Sequence, residues 1–172
     1  MTMLETERLI LREFAVTDAE FILKLLNEPS FIQNIGDRGV RSVADAVGYL
    51  ERGPIASYAK NRFGLLAVVW KETGERMGMC GLIKRKALED VDIGYAFLPQ
   101  FWSRGFAVEA AQRVVEFAQE TLGLTRIVAI VDPKNSGSIR VLERIGFAYE
   151  KMIRLSADDI ELKLYARQLM QE

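Results

Sequence analysis

Val91-Asp-Ile-Gly-Tyr-Ala-Phe97, then Leu98-Pro-Gln-Phe-Trp-Ser-Arg-Gly-Phe-Ala107, then the run to Leu122, is the stretch that decides the fold. Val91, Ile93, Tyr95 and Phe97 alternate with smaller or polar residues, which predicts a strand. From Ser103 to Leu122, Ala107, Ala110, Ala111, Val114, Ala118 and Leu122 recur at helical spacing. Glu109, Gln112, Arg113, Glu116, Gln119 and Glu120 fill the opposite stripe, so one face is buried and the other wet. A strand that feeds a glycine-bearing turn and a helix start is suited to an anion. The first N–H groups of a helix lack internal partners and sit at the positive end of its dipole. Arg104 adds a charge beside them, and Gly105 lets a ligand approach the backbone closely.

Downstream, Gly123 ends the helix and Arg126 to Val131 is a continuous apolar run, the pattern of a strand covered on both faces. Strand, helix and strand in this order make a right-handed crossover between parallel strands. Asp132-Pro-Lys134 is a turn, Asn135 caps a helix to Ile145, and Gly146 stops it. Phe147 to Ile153 and Ile160 to Tyr165 read as a closing pair of strands.

Upstream, Arg8 to Phe14 reads as an opening strand, and Thr17-Asp18 starts a helix over Ala19 to Asn27 that Pro29 closes. Phe31 to Arg41 reads as a loop with Gly36-Asp-Arg-Gly39 at its tip. Ser42 caps a helix from Val43 to about Arg52, Gly53-Pro54 breaks it, and a second helical piece runs from Ile55 to Asn61. Gly64 to Trp70 and Arg76 to Lys84 form an antiparallel hairpin across Glu72-Thr-Gly-Glu75. The expected whole is one domain over residues 1–172. Its class is α/β (α+β), with a mixed, mostly antiparallel sheet, one parallel crossover and helices on both faces.

Composition narrows the chemistry. The 172 residues, 49% hydrophobic and 27% charged, suit one domain with a sizeable core, and the net charge of −1 points to neither nucleic acid nor an acidic membrane. Charges at Glu5, Glu7, Arg8 and Arg12 leave no secretory signal near the start, and no apolar run could span a bilayer, so the expected location is the cytoplasm. The single cysteine, Cys80, lies in an apolar run and reads as a buried hydrophobe. The absence of histidine is more informative. It removes Ser-His-Asp and Cys-His catalysis, and with one cysteine it removes any ordinary zinc site. Proton transfer must use carboxylates, hydroxyls, tyrosines, lysines or water, and no metal is expected.

Tyr95 to Ala110 resembles the acetyl-CoA signature of the GNAT N-acetyltransferase superfamily, particularly the branch with the ribosomal-protein alanine and serine N-acetyltransferases. Leu4-Glu-Thr-Glu-Arg-Leu-Ile-Leu-Arg12 and Asn135-Ser-Gly-Ser-Ile-Arg-Val-Leu-Glu-Arg-Ile-Gly-Phe147 are similar to that branch in the same order. The resemblance implies an acetyl-CoA-dependent transfer of an acetyl group directly to a primary amine, on a protein N-terminus or a small molecule. It implies no covalent nucleophile, and a monomer or homodimer. The branch commonly has Trp-Gly-Lys-Gly-Tyr-Ala where this chain has Trp102-Ser103-Arg104-Gly105-Phe106-Ala107, so Ser103 replaces a glycine.

The resemblance also implies roles. Trp102 to Ala107 would hold the pyrophosphate, with Ser103 able to cap the helix or donate to a phosphate. Tyr95, Phe97 and Leu98 would pair with the pantetheine arm like an added strand, at a splay between their strand and Arg126 to Val131. Asn135 would contact the pantetheine arm or reacting groups, and the Ser138 hydroxyl would lie near the thioester sulfur as donor or general acid. The two helical regions after Ser42 would form one wall of the acceptor cleft. The base that neutralises the amine is left open between Asp92, Glu109 and water. A non-catalytic acyl-CoA-binding module is the rival reading, and the near-neutral charge weighs against a dedicated ribosome-docking enzyme.

Overall fold

The computed structural model describes residues 1–170, and Gln171 and Glu172 lie outside them. Among the described residues eight strands form one sheet. In chain order they are β1 (Met3–Glu5), β2 (Leu9–Glu13), β3 (Leu65–Trp70), β4 (Arg76–Ile83), β5 (Asp92–Phe97), β6 (Arg126–Val131), β7 (Ala148–Ile153) and β8 (Leu162–Gln168). Across the sheet the order is β1-β2-β3-β4-β5-β6-β8-β7, and every neighbouring pair is antiparallel except β5 with β6. The helices are α1 (Ala19–Leu26), α2 (Pro29–Asn34), α3 (Val43–Leu50), α4 (Ala56–Asn61), α5 (Phe106–Glu120) and α6 (Ser136–Arg144).

Register assigns the faces. Leu66 lies opposite Cys80, Cys80 opposite Tyr95, and Leu82 opposite Ile93, so these side chains share one side of the pleat. Leu66 and Leu82 line a small cavity with Val114 and Phe117 of α5, which identifies this side as the one α5 covers. There α5 buries Phe106, Ala110, Ala111, Val114, Val115, Phe117 and Ala118. Its small alanines allow a close approach to the sheet. On the other side Arg12 of β2 and Arg76 of β4 both reach Asp18, at the start of α1, at 2.9 and 2.5 Å. Asp92, opposite Ile83, lies on that second side.

Four local expectations change. Pro29 opens α2 at its first position rather than only closing the helix before it, because a proline needs no N–H partner there. Part of the expected Phe31–Arg41 loop is therefore helical. Gly53-Pro54 does not break the chain: a π-helical turn over Glu51–Ile55 carries α3 into α4 and absorbs the proline's missing donor. Met3–Glu5 adds a short strand on β2, and α5 begins at Phe106, three residues later than Ser103.

A candidate active site at a split between parallel strands

The parallel pair β5–β6 is joined at one register position, Asp92 with Val128, and by the bond from the Val128 N–H to the Val91 carbonyl at 3.1 Å. Beyond it the strands part. The Leu98 N–H donates to the Met77 carbonyl at 2.9 Å, so the main chain of Ala96 and Leu98 is turned toward β4. Alternation then turns the N–H and C=O of Tyr95 and Phe97 toward the gap left by β6. The Phe97 carbonyl accepts from the Trp102 indole Nε1 at 2.9 Å, which ties the following turn to the end of β5. Tyr95 and the Phe97 N–H thus present an open ladder edge. Leu98 does not, since it also accepts from Phe101.

Between β5 and α5 lie a single 3₁₀ turn at Pro99–Phe101 and the segment Trp102 to Gly105. Ser103 has φ 60° and Gly105 φ 80°, so Arg104 sits between two left-handed residues. Glycine adopts this conformation freely, whereas serine is strained in it. Gly105 rather than Ser103 is the N-cap of α5, and no side chain caps the helix. The Phe106, Ala107 and Val108 N–H groups, in the helix's first turn, are therefore left without intrahelical partners. The Arg104 guanidinium stacks on Trp70 and Phe106, at 4.8 and 5.2 Å from their ring centres. Trp102 is half-exposed, and Phe106 is buried beneath the turn.

Across the gap, α6 begins at Asn135, whose Oδ1 accepts from the Ser138 N–H at 3.2 Å. The cap uses the amide oxygen, so the amide nitrogen is available to a ligand. The Tyr95 hydroxyl lies 2.9 Å from both the carbonyl oxygen and the Oγ of Ser138. When the tyrosine donates to the serine Oγ in place of the carbonyl, the serine hydroxyl is oriented with its own proton free for a ligand. Burial pushes the Tyr95 phenol up, so it stays protonated.

The two candidate bases separate. Asp92 is 1% exposed, and burial pushes its carboxyl up to about 6 against the opposing charge of Arg85, whose Nε is 3.2 Å away. Glu109 is also partly buried, but it accepts from the Thr6 hydroxyl at 2.5 Å, the Arg8 N–H at 3.0 Å and the Arg8 Nε at 2.7 Å. These bonds outweigh its desolvation and hold the carboxyl below its ordinary value. A carboxylate so engaged is a poor proton acceptor. Cys80 is buried and its thiol is pushed up by desolvation, as expected of an inert core residue.

The site thus offers an open strand edge, a helix start whose first N–H groups lack intrahelical partners and an oriented hydroxyl, which fit a long thioester with a phosphate-bearing tail. Sequence reasoning missed Arg8 as part of it. The residue lies inside Leu4 to Arg12, but its contact with Glu109 spans 101 positions.

The comparisons agree with this geometry. The family described as the acetyltransferase (GNAT) domain matches residues 8–148. The uncharacterized N-acetyltransferase YoaA of Bacillus subtilis (strain 168) is 32% identical over 152 residues, covering 88% of this chain and 85% of YoaA. An acetyltransferase from Agrobacterium tumefaciens str. C58 superposes with a TM-score of 0.82 at 27% identity, over 98% of this chain and 95% of that one. RimL, a ribosomal L7/L12 alpha-N-protein acetyltransferase solved with coenzyme A, shares the fold with a TM-score of 0.84 at 17% identity, over 98% of each chain. A mixed sheet split at its one parallel pair, a match over most of the sequence and a relative of this identity lead to one conclusion: the chain belongs to the GNAT acetyltransferase family and is an acetyl-CoA-dependent N-acetyltransferase.

Proposed function

We propose that this enzyme moves the acetyl group directly to a primary amine at the split between β5 and β6. The observation that carries this reading is the ladder edge of Tyr95 and the Phe97 N–H, which face a gap while the alternate residues Ala96 and Leu98 are turned to β4. A pantetheine arm laid in the gap would complete the ladder, as an added strand does. The donor supplies an activated thioester. The protein's part is to hold it and to manage protons.

In this reading the N–H groups of Ser103 to Ala107 receive the pyrophosphate, while Trp102 and Phe106 fix the turn and the Arg104 guanidinium, stacked on Trp70 and Phe106, adds its charge from behind it. The Asn135 amide nitrogen holds the pantetheine arm. The Ser138 hydroxyl, oriented by Tyr95, gives its proton to the departing thiolate. Asp92 takes the amine's proton through water. It lies on the side of β5 that α1 shares, where Gly94 and Ala96 leave the strand low, and its raised pKa suits a base that works near neutrality.

The acceptor we infer is a primary amine of a protein N-terminus or a small molecule. The likeness in fold to RimL favours the first, and the chain's near-neutral charge favours the second. Thiol release from acetyl-CoA, measured with a panel of amines and N-terminal peptides, tests the reading. Turnover with a primary amine supports it, while coenzyme A binding with no turnover across the panel would favour a binding module.

A further inference from the structure

We propose that Arg8 and Glu109 form a clamp that shapes the donor turn, so that acetyl-CoA binding depends on docking of the amino-terminal segment. This rests on the reading of Ser103 to Ala107 as the phosphate turn, and it concerns a residue far from it in sequence. Arg8 donates through Nε to Glu109 at 2.7 Å and through Nη1 to the Arg104 carbonyl at 3.0 Å, and its guanidinium lies 4.2 Å from the centre of the Phe106 ring. One planar group therefore touches three residues of the turn and of the first turn of α5. Glu109 in turn accepts from the Thr6 hydroxyl and the Arg8 N–H, and the Thr6 hydroxyl also accepts from the Leu9 N–H at 3.0 Å.

The effect on the turn follows from peptide geometry. The Arg104 carbonyl belongs to the peptide that joins Arg104 to Gly105, and in a trans peptide the C=O and N–H point in opposite directions. Holding that carbonyl on the Arg8 side turns the Gly105 N–H to the other side. The peptide runs into Gly105 at φ 80°, and a glycine accepts either sign of φ, so the local chain does not by itself fix its orientation. Glu109 fixes the guanidinium by a second bond, and a planar fork makes both bonds in fixed directions while its flat face stacks on Phe106, which an ammonium cannot reproduce. Arg8 and Glu109 are therefore positioning residues, and Glu109 is spent on this task rather than on the amine.

The test measures coenzyme A binding by calorimetry, and steady-state kinetics, for wild type, Arg8→Ala, Arg8→Lys and Thr6→Val, well below each melting temperature. Arg8→Ala is expected to raise Kd for coenzyme A and KM for acetyl-CoA about tenfold, the loss of one charge-assisted bond. The amine KM, and kcat at saturating acetyl-CoA, should not move. Arg8→Lys keeps the charge but not the fork and should remain weakened. Thr6→Val, the milder change, should weaken binding about twofold to fivefold by loosening Glu109. Wild-type Kd in Thr6→Val and in whichever Arg8 variants fold, or full rescue by lysine, would overturn the clamp. A wild-type protein that binds no coenzyme A would instead overturn the reading of the turn itself.

Discussion

The Tyr95 hydroxyl sits 2.9 Å from the Oγ of Ser138, bridging the strand edge on one side of the split to the helix start on the other. This contact joins the two hydroxyls best suited to proton donation. Tyr95→Phe removes it while leaving the ring in the core. We expect a stability loss of about 1 kcal/mol, typical of one hydrogen bond, and a fall in kcat of about tenfold as Ser138 loses its orientation. Denaturant melts and saturating kinetics check both values, and an unchanged kcat would separate the tyrosine from catalysis.

Asn135 and Ser138 divide into a structural and a chemical role. Aspartate caps helices about as well as asparagine, so Asn135→Asp should leave the melting temperature almost unchanged. It should still impair activity, because a carboxylate offers no amide proton. Ser138→Ala should lower kcat about a hundredfold, the lower end of proton-transfer effects, at little cost in stability. Wild-type turnover by both variants would make this helix start purely structural.

Gly105 and Ser103 test the turn through strain. Read as an interior helix residue, Gly105 would gain from alanine by propensity. The φ of 80° reverses that sign, and a Cβ there would also come within 3.3 Å of the Arg8 Nη2. Gly105→Ala should destabilise by about 1 to 2 kcal/mol, while Ser103→Gly should stabilise by up to about 1 kcal/mol. Thermal melts of the two variants moving in these opposite directions would establish the turn.

Much of this site was legible in the sequence, and the reason is locality. The strand, turn and helix from Val91 to Leu122 announce themselves by period and by Gly105, and Asn135 by its position before an amphipathic run. The alternation of β5 also indicates which side chains share a face. Two kinds of feature were not legible. One is register: nothing in Arg126 to Val131 says that pairing with β5 stops after Asp92 with Val128. The other is long-range partnering, so Glu109 looked like a free carboxylate until Arg8 and Thr6 were brought to it. Pro29 and Pro54 misled for a third reason. A proline marks a missing donor, and a helix start or a π-helical turn accommodates that as well as a break does.

Asp92 gives activity and stability opposite dependences on pH. As a base raised to about 6, it should make the rate rise with pH through about 6 and then level. Its folded pKa lies above the unfolded value, so its contribution to stability is full below about 4 and is lost as pH rises through about 6. Asp92→Asn should abolish the rise in rate and flatten stability across the same window. A pH–rate profile unchanged in the variant would return the role of base to water.

Asp18 sets the acid limit of the fold. Burial pushes its carboxyl up, but Arg12, the Ala15 N–H and Arg76 outweigh this and hold it at about 2. A depressed folded pKa contributes stability above about 4 that is lost as pH falls toward about 2. Asp18→Asn leaves two partly exposed arginines facing a neutral group and should cost about 2 to 3 kcal/mol at neutral pH, as for a carboxylate held from about 4 down to about 2. Urea melts at pH 7 and pH 3 should show a difference between variant and wild type that shrinks by roughly half at the lower pH.

The most direct test of the central claim is amide hydrogen exchange, residue by residue, with and without coenzyme A. The Tyr95 and Phe97 N–H groups face the gap, whereas those of Ala96 and Leu98 are turned to β4. The account predicts that coenzyme A slows exchange at Tyr95 and Phe97 selectively and leaves Ala96 and Leu98 almost unchanged. Binding that protects neither Tyr95 nor Phe97, or that protects all four alike, would contradict it.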